Sequence, residues 1–175
     1  MIASSKLIVG IIGGRTISTT PEAVILAENV GHELGKRGMS VVCGGEDGIM
    51  EAVCKGCKQT GGATIGIMKG KERLLANNYI DYPILTSMDL ARNNIIIWTA
   101  SGLIAFDGMY GTLTETALTL DIGKPLLILG KQQLIDVKKI KSPYFNQVDG
   151  DDFEQIPRII DDFVGMIKEY ESHEH

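Results

Sequence analysis

Apolar and polar residues fall into alternating blocks along this chain, and the blocks carry two different periods. Lys6 to Ile12 is a near-continuous apolar run with β-branched residues that ends at Gly13-Gly14. A run this short, closed by glycines, predicts a strand buried on both faces. Met39 to Cys43, Ala63 to Met68, Tyr82 to Thr86, Leu103 to Ala105 and Pro125 to Leu129 read as strands too. Between them lie helical patterns at Thr20 to Arg37, Ile49 to Gln59, Asp89 to Ala100 and Thr116 to Ile122, and an amphipathic helix with a frayed tail closes the chain from Phe153 to Tyr170. Thr20-Pro21-Glu22 supplies an N-cap, a proline at the first helical position and an acid in the first turn, and Gly38 stops that helix. Lys69 to Ile80 is polar without a period and reads as a loop over the site. Gln132 to Ile140 fits neither template.

Strand and helix in strict alternation predict one α/β domain over residues 1–175, with a mostly parallel sheet between two helical layers and a core of about 6–170. Such sheets bind ligands at the carboxyl ends of their strands. Gly13-Gly14, Gly44-Gly45 and Gly108 to Gly111 all follow strands, so the three turns are expected along one edge.

The third turn is the most informative. Phe106-Asp107-Gly108-Met109-Tyr110-Gly111-Thr112-Leu113-Thr114-Glu115 joins a strand to a helix through glycines. Free N–H groups at the helix start, with the helix dipole behind them, form a seat for a phosphate or another anion. Glu115 lies one turn further in, where a carboxylate could act on what the anion anchors.

Composition narrows the partners. Seventeen Lys and Arg against 22 Asp and Glu leave a net charge of −5, a poor profile for gripping nucleic acid, while one small phosphate ligand remains compatible. No apolar stretch reaches the roughly 18 residues that a membrane span needs. Three cysteines do not build a disulfide framework, which points to a reducing compartment, and the expected location is cytoplasmic.

The segment Gly108-x-x-Gly111-Thr112-x-x-Glu115 resembles the PGGxGTxxE signature of the Lonely Guy (LOG) proteins. Gly44-Gly45-x-x-Gly48-Ile49-Met50-Glu51-Ala52 is similar to that superfamily's first glycine motif, and Arg92-Asn93 to its arginine helix. The branch with molybdenum cofactor carrier proteins is most similar, because Arg-Asn replaces Arg-Lys there; Gly61 to Ile67 and Ala76-Asn77 also fit it. The resemblance implies a Rossmann-like fold and two functions. One is a phosphoribohydrolase that releases the base from a nucleoside 5′-monophosphate such as AMP or a cytokinin riboside monophosphate, with Arg92 and Glu115 as the catalytic pair and no cofactor. The other, slightly favoured, is a carrier that binds a nucleotide or a pterin, the molybdenum cofactor included, without turnover. In both, Gly13, Gly14, Gly44, Gly45, Gly48, Gly108, Gly111 and Thr112 are the expected ligand-binding residues, and no metal site is expected. Asp107 and Met109 depart from the signature, adding a negative charge and a Cβ beside the phosphate seat.

Several features carry a plainer alternative. Thr112 to Glu115 also fits a capping box, Gly44 to Gly48 a simple tight turn, and Arg92 a surface ion pair. Cys54-Lys55-Gly56-Cys57 sits inside a helix beside Met50 and Val53, which favours packing over redox or zinc chemistry. Lys69, Lys71 and Arg73 are candidates for a phosphate clamp in the loop. The run Ile95-Ile96-Ile97-Trp98 holds more apolar surface than one face requires, and a homo-oligomer, a dimer or tetramer, is expected.

Overall fold

A computed structural model describes residues 7–130, 136–149 and 153–173. Seven strands form one sheet in the order β4-β3-β2-β1-β5-β6-β7: β1 (Ile8–Ile12), β2 (Ser40–Cys43), β3 (Thr64–Met68), β4 (Tyr82–Leu85), β5 (Gly102–Ala105), β6 (Leu126–Leu129) and β7 (Phe145–Val148). Every neighbouring pair is parallel, so the expected mostly parallel sheet is parallel throughout the described strands. Among the described residues four α-helices lie between strands, α1 (Pro21–Lys36), α2 (Ile49–Gln59), α3 (Asn93–Thr99) and α4 (Tyr110–Asp121), and a fifth, α5 (Ile156–His173), follows the last strand.

The alternation of side chains along each strand divides the core into two layers. Val41, Ile104 and Leu127 point into the layer under α1, α2 and α5. Their neighbours Val42, Leu103 and Leu126 point the other way, with Ile96 and Ile97 of α3. This is the Rossmann-like three-layer sandwich. Helices α1 and α2 meet backbone to backbone, since a Cβ on Gly31 would lie 2.0 Å from the Val53 carbonyl oxygen and one on Gly56 1.9 Å from that of Glu28. No side chain fits at either crossing point.

The capping chemistry at α1 forms as expected, with Thr20 Oγ1 accepting from the Ala23 N–H at 3.2 Å. Other elements differ from the sequence expectation. The helix expected from Asp89 to Ala100 is a 3-10 turn over Asp89–Arg92 followed by a short α3. Ser87 and Asp89 both carry positive φ, 55° and 48°, so the chain bends sharply on entry. At the other end, Lys124 Nζ takes the carbonyls of Ile97 at 2.8 Å and Ala100 at 2.6 Å and closes the helix. β7 was not expected: Phe145-Asn146-Gln147-Val148 lacks a long apolar run because it is an edge strand bonded only to β6. Within Gln132 to Ile140, Val137–Lys139 forms a 3-10 turn, while 131–135 lie outside the described residues. The closing helix starts at Ile156, behind a 3-10 turn over Phe153–Gln155, and runs on to His173 in place of a tail that frays after Tyr170. No described helix is long and apolar enough to cross a membrane.

The strand order decides where a ligand can sit. From β1 the chain builds outward through β2, β3 and β4, then returns to the other side of β1 to lay down β5, β6 and β7. The turns after β1 and β5 therefore diverge to opposite faces and leave a crevice at their carboxyl ends.

Candidate functional site

A cavity of about 290 Å³ fills that crevice, near the lower end of the range of small-molecule sites. The turn after β1 contributes Gly13, Gly14 and Arg15, the turn after β2 contributes Gly44 and Glu46, and the start of α4 contributes Met109, Gly111 and Thr112. Arg92 and Glu115 line it as well, and Ile11, Ile12, Met50 and Leu90 supply apolar walls. Apolar side chains also crowd the mouth: Ile17 is 95% exposed and Leu90 69%.

The seat at α4 is built by backbone. Met109 is the N-cap, and no side chain caps the first turn. The first intrahelical bond runs from the Leu113 N–H to the Met109 carbonyl at 3.0 Å, which leaves the N–H groups of Tyr110, Gly111 and Thr112 without an intrahelical acceptor. The capping-box alternative does not form, because Thr112 is already the third helical residue and Glu115 the sixth. Met109 sits at φ −96°, where a Cβ causes no strain. Asp107 is occupied by the turn: its carbonyl accepts from Gly14 N–H at 3.0 Å and its Oδ1 from Gly108 N–H at 2.9 Å.

Not all the expected glycines face the cavity. Gly13, Gly14, Gly44 and Gly111 line it; Gly45, Gly48 and Gly108 do not. Gly48 shapes the wall from behind, with φ +73° and a would-be Cβ 2.6 Å from the Gly14 carbonyl oxygen. That same carbonyl accepts the Ile49 N–H at 3.1 Å, which ties the turn after β1 to the start of α2. Gly45 is held from the loop, its carbonyl accepting from Asn77 N–H at 2.9 Å, while Asn77 Nδ2 donates to the Glu46 carbonyl at 2.9 Å.

Arg92 is buried, and its guanidinium is already committed. It donates through Nη1 to the carbonyls of Gly44 and Ile67 and through Nη2 to Glu46 Oε2 at 3.0 Å. Its Nε makes no hydrogen bond. Glu46 gathers two further cations, Lys69 at 2.7 Å and Arg15 at 3.9 Å. Burial pushes the Glu46 carboxyl up, but the Lys69 hydrogen bond and the charges of Arg92, Lys69 and Arg15 outweigh it and hold the group below its ordinary value. Sequence reasoning missed Glu46. An acid inside a glycine turn is a weak signal, and its partner lies 46 residues away.

Glu115 shares the cavity with Arg92 but no hydrogen bond joins them. Burial pushes its carboxyl up to about 8, and the charge of Arg92 pulls it back only in part. Burial thus favours the protonated form. The expected catalytic pair is a committed arginine and a buried acid that share a cavity without a direct bond.

The remaining candidates lie elsewhere. Lys69 reaches the site through Glu46, whereas Lys71 and Arg73 are exposed and outside the cavity lining. Cys43, Cys54 and Cys57 are free and buried, with Cys43 Sγ 3.7 Å from Cys54 Sγ in the core beneath α2. Among the described residues no group of three or more His, Cys, Asp or Glu gathers as metal ligands do.

The sequence is 34% identical over 132 residues to an uncharacterised protein of Archaeoglobus fulgidus, covering 75% of this chain and 85% of that one. The fold is similar to the molybdenum cofactor binding protein of Rippkaea orientalis, with a TM-score of 0.82, 28% identity, and 93% of this chain and 99% of that chain covered. It is also similar to the molybdenum cofactor carrier protein of Chlamydomonas reinhardtii, with a TM-score of 0.80, 26% identity, and coverage of 91% and 99%. The SLOG cluster4 family model matches residues 6–152. The chain therefore belongs to the SLOG cluster4 family, within the LOG-like and molybdenum cofactor carrier superfamily that its glycine motifs resemble.

Proposed function

We propose that this protein binds a phosphate-bearing, nucleotide-like ligand in the crevice between β1 and β5 and does not turn it over, with a pterin of the molybdenum cofactor type as the leading ligand. The observation that carries the reading is the geometry at Arg92 and Glu115: the guanidinium is taken up by two carbonyls and Glu46, and Glu115 is buried with no hydrogen bond to it. Cleavage of an N-glycosidic bond builds positive charge on the sugar, and a carboxylate stabilises that charge only when ionised. With its carboxyl pushed up to about 8 by burial, Glu115 carries little charge at neutral pH and has a proton to offer a ligand. A neutral acid suits an oxygen or ring nitrogen of a bound ligand.

The cavity's chemistry supports the same class of ligand. Uncapped N–H groups at α4 suit a phosphate, and apolar walls at Ile11, Ile12 and Met50 suit a flat ring. The molybdenum cofactor would enter as cargo, its phosphate against Gly111 and Thr112 and its ring system along the apolar walls. The solved relatives named for that cofactor support this choice.

The rival reading, a phosphoribohydrolase, rests on one feature: Arg92 and Glu115 line the same cavity. It requires the ligand to displace Arg92 from Glu46 and to draw the proton from Glu115. The assembly belongs to the proposal as well. Edge strand β4 exposes Tyr82, Ile84 and Leu85, so a homo-oligomer would cover this edge.

A thermal-shift series tests the reading, with nucleoside monophosphates and phosphorylated pterins as ligands. Concentration-dependent stabilisation by members of this class is expected. A flat response to every phosphate-bearing ligand overturns it.

A further inference from the structure

A second cavity, of about 230 Å³, adjoins the first, and the two share Arg15 and Glu46 as walls. Its other faces differ in kind. Met68 and Leu75 are apolar, Asp47 and Glu72 are carboxylates, and Lys69 is a cation. We propose that the two cavities are halves of one elongated site, and that the ligand is a nucleoside diphosphate conjugate whose second moiety is a nucleoside. The proposal rests on the reading of the first cavity as a phosphate-ligand site and extends it.

The partition between the cavities is a set of ion pairs. Arg15 donates through Nε to Asp47 Oδ1 at 3.1 Å and stands 3.9 Å from Glu46, while Lys69 Nζ lies 2.7 Å from the same Glu46 oxygen. The Arg15 side chain is 52% exposed. Exposed pairs of this type are worth little, so Arg15 exchanges its carboxylates for a phosphate at small cost, and the guanidinium fork matches a phosphate well. Glu46 keeps Arg92 at 3.0 Å when the outer cations turn away. The deep half of the network stays intact while its rim opens.

Position along the chain places the second phosphate. Arg15 directly follows Gly14, whose N–H is bonded to the Asp107 carbonyl at the entrance to α4. A phosphate at the N–H groups of α4 therefore has the Arg15 guanidinium as its next neighbour toward the second cavity. Beyond it, carboxylates suit ribose hydroxyls, which donate hydrogen bonds to acids in nucleotide sites. Met68 and Leu75 offer an apolar surface for a base. A monophosphate fills only the first half.

Calorimetric titration of the full chain with AMP and diadenosine diphosphate, two adenosines joined 5′ to 5′ through two phosphates, reads this directly. Diadenosine diphosphate is expected to bind at least about tenfold more tightly than AMP, the gain from one added charge-assisted contact and a filled second cavity. Lys69→Gln, outside the first cavity, should reduce that gain and leave AMP affinity within about twofold, as expected for a change to an exposed charge, whereas Arg15→Gln, at a wall of both cavities, should weaken diadenosine diphosphate more than AMP. Leu75→Trp blocks the second cavity without removing a charge, and Leu75 is 57% exposed, so the fold tolerates it; it should abolish the gain. Diadenosine diphosphate binding no tighter than AMP, or equal losses for both ligands in the variants, overturns the elongated site. AMP that binds normally in that case leaves the first-cavity reading standing, whereas no binding of either ligand removes both.

Discussion

Arg92 holds the carboxylate of Glu46 at 3.0 Å. Arg92 is buried and Glu46 half-buried, and the pair locks three segments together, because the same guanidinium takes the Gly44 and Ile67 carbonyls at the ends of β2 and β3. A buried arginine in a ligand cavity invites a catalytic role, but this one serves first as the keystone of the wall.

Removing it should therefore be felt in stability. Arg92→Ala leaves Glu46 short of a partner and two carbonyls without donors, and a loss of about 3 kcal/mol is expected from denaturant unfolding. Glu46→Gln should cost less, about 1–2 kcal/mol, since the neutral amide still accepts a bond from Arg92. The double variant should fall short of the sum by at least about 1 kcal/mol, as residues in one network do. Additive losses would mean that the pair is not coupled.

Glu115 makes stability depend on pH in a stated direction. Its folded value, about 8, lies above the ordinary carboxyl value of 4.5. Below the lower value both folded and unfolded chains hold the proton, and no penalty arises. Between the two values the unfolded chain ionises first, so stability falls as pH rises, and the penalty levels off above about 8 at a few kcal/mol. Glu115→Gln cannot ionise. The stability difference between variant and parent should grow in the variant's favour from about pH 5 to pH 9. Parallel profiles would place the Glu115 carboxylate in contact with water.

Two glycines with the same backbone angle should respond differently to a methyl group. Gly38 and Gly48 both have φ +73°, but a Cβ on Gly38 meets nothing within 4 Å, while one on Gly48 meets the Gly14 carbonyl at 2.6 Å. Gly38→Ala should cost about 1 kcal/mol, the left-handed penalty alone. Gly48→Ala should cost about 3 kcal/mol or more, since the wall of the cavity must shift as well. Equal costs would show that the turn after β2 is not packed against Gly14.

The fold was legible in the sequence because each inner strand is buried on both faces and so reads as an apolar run. Val41-Val42 and Leu103-Ile104 feed opposite layers with adjacent side chains. β7 was not legible, because an edge strand needs only intermittent apolar positions and Asn146-Gln147 resemble a loop. At the site, glycines and the helix start at α4 could be read from local spacing. The partnership of Arg92 with Glu46 could not, because it joins separate turns brought together only by the sheet. The state of Glu115 likewise depends on burial by neighbours far along the chain.

The exposed edge beside β4 should assemble. Tyr82 is 62% exposed, Ile84 47% and Leu85 40%, and an interface of standard size would cover such a patch. Light scattering should give a multiple of the 19.0 kDa chain mass, and Ile84→Lys should shift it toward the monomer. A parent protein that scatters as a monomer at micromolar concentration contradicts this assembly.

The central claim is binding without turnover, and one sample tests it. The protein is incubated with AMP at pH 7, and bound nucleotide and free adenine are measured together. Saturable binding with adenine no higher than in the protein-free control is the predicted result. Sustained adenine release that disappears in Glu115→Gln would contradict the account and make Glu115 the catalytic carboxylate of a hydrolase.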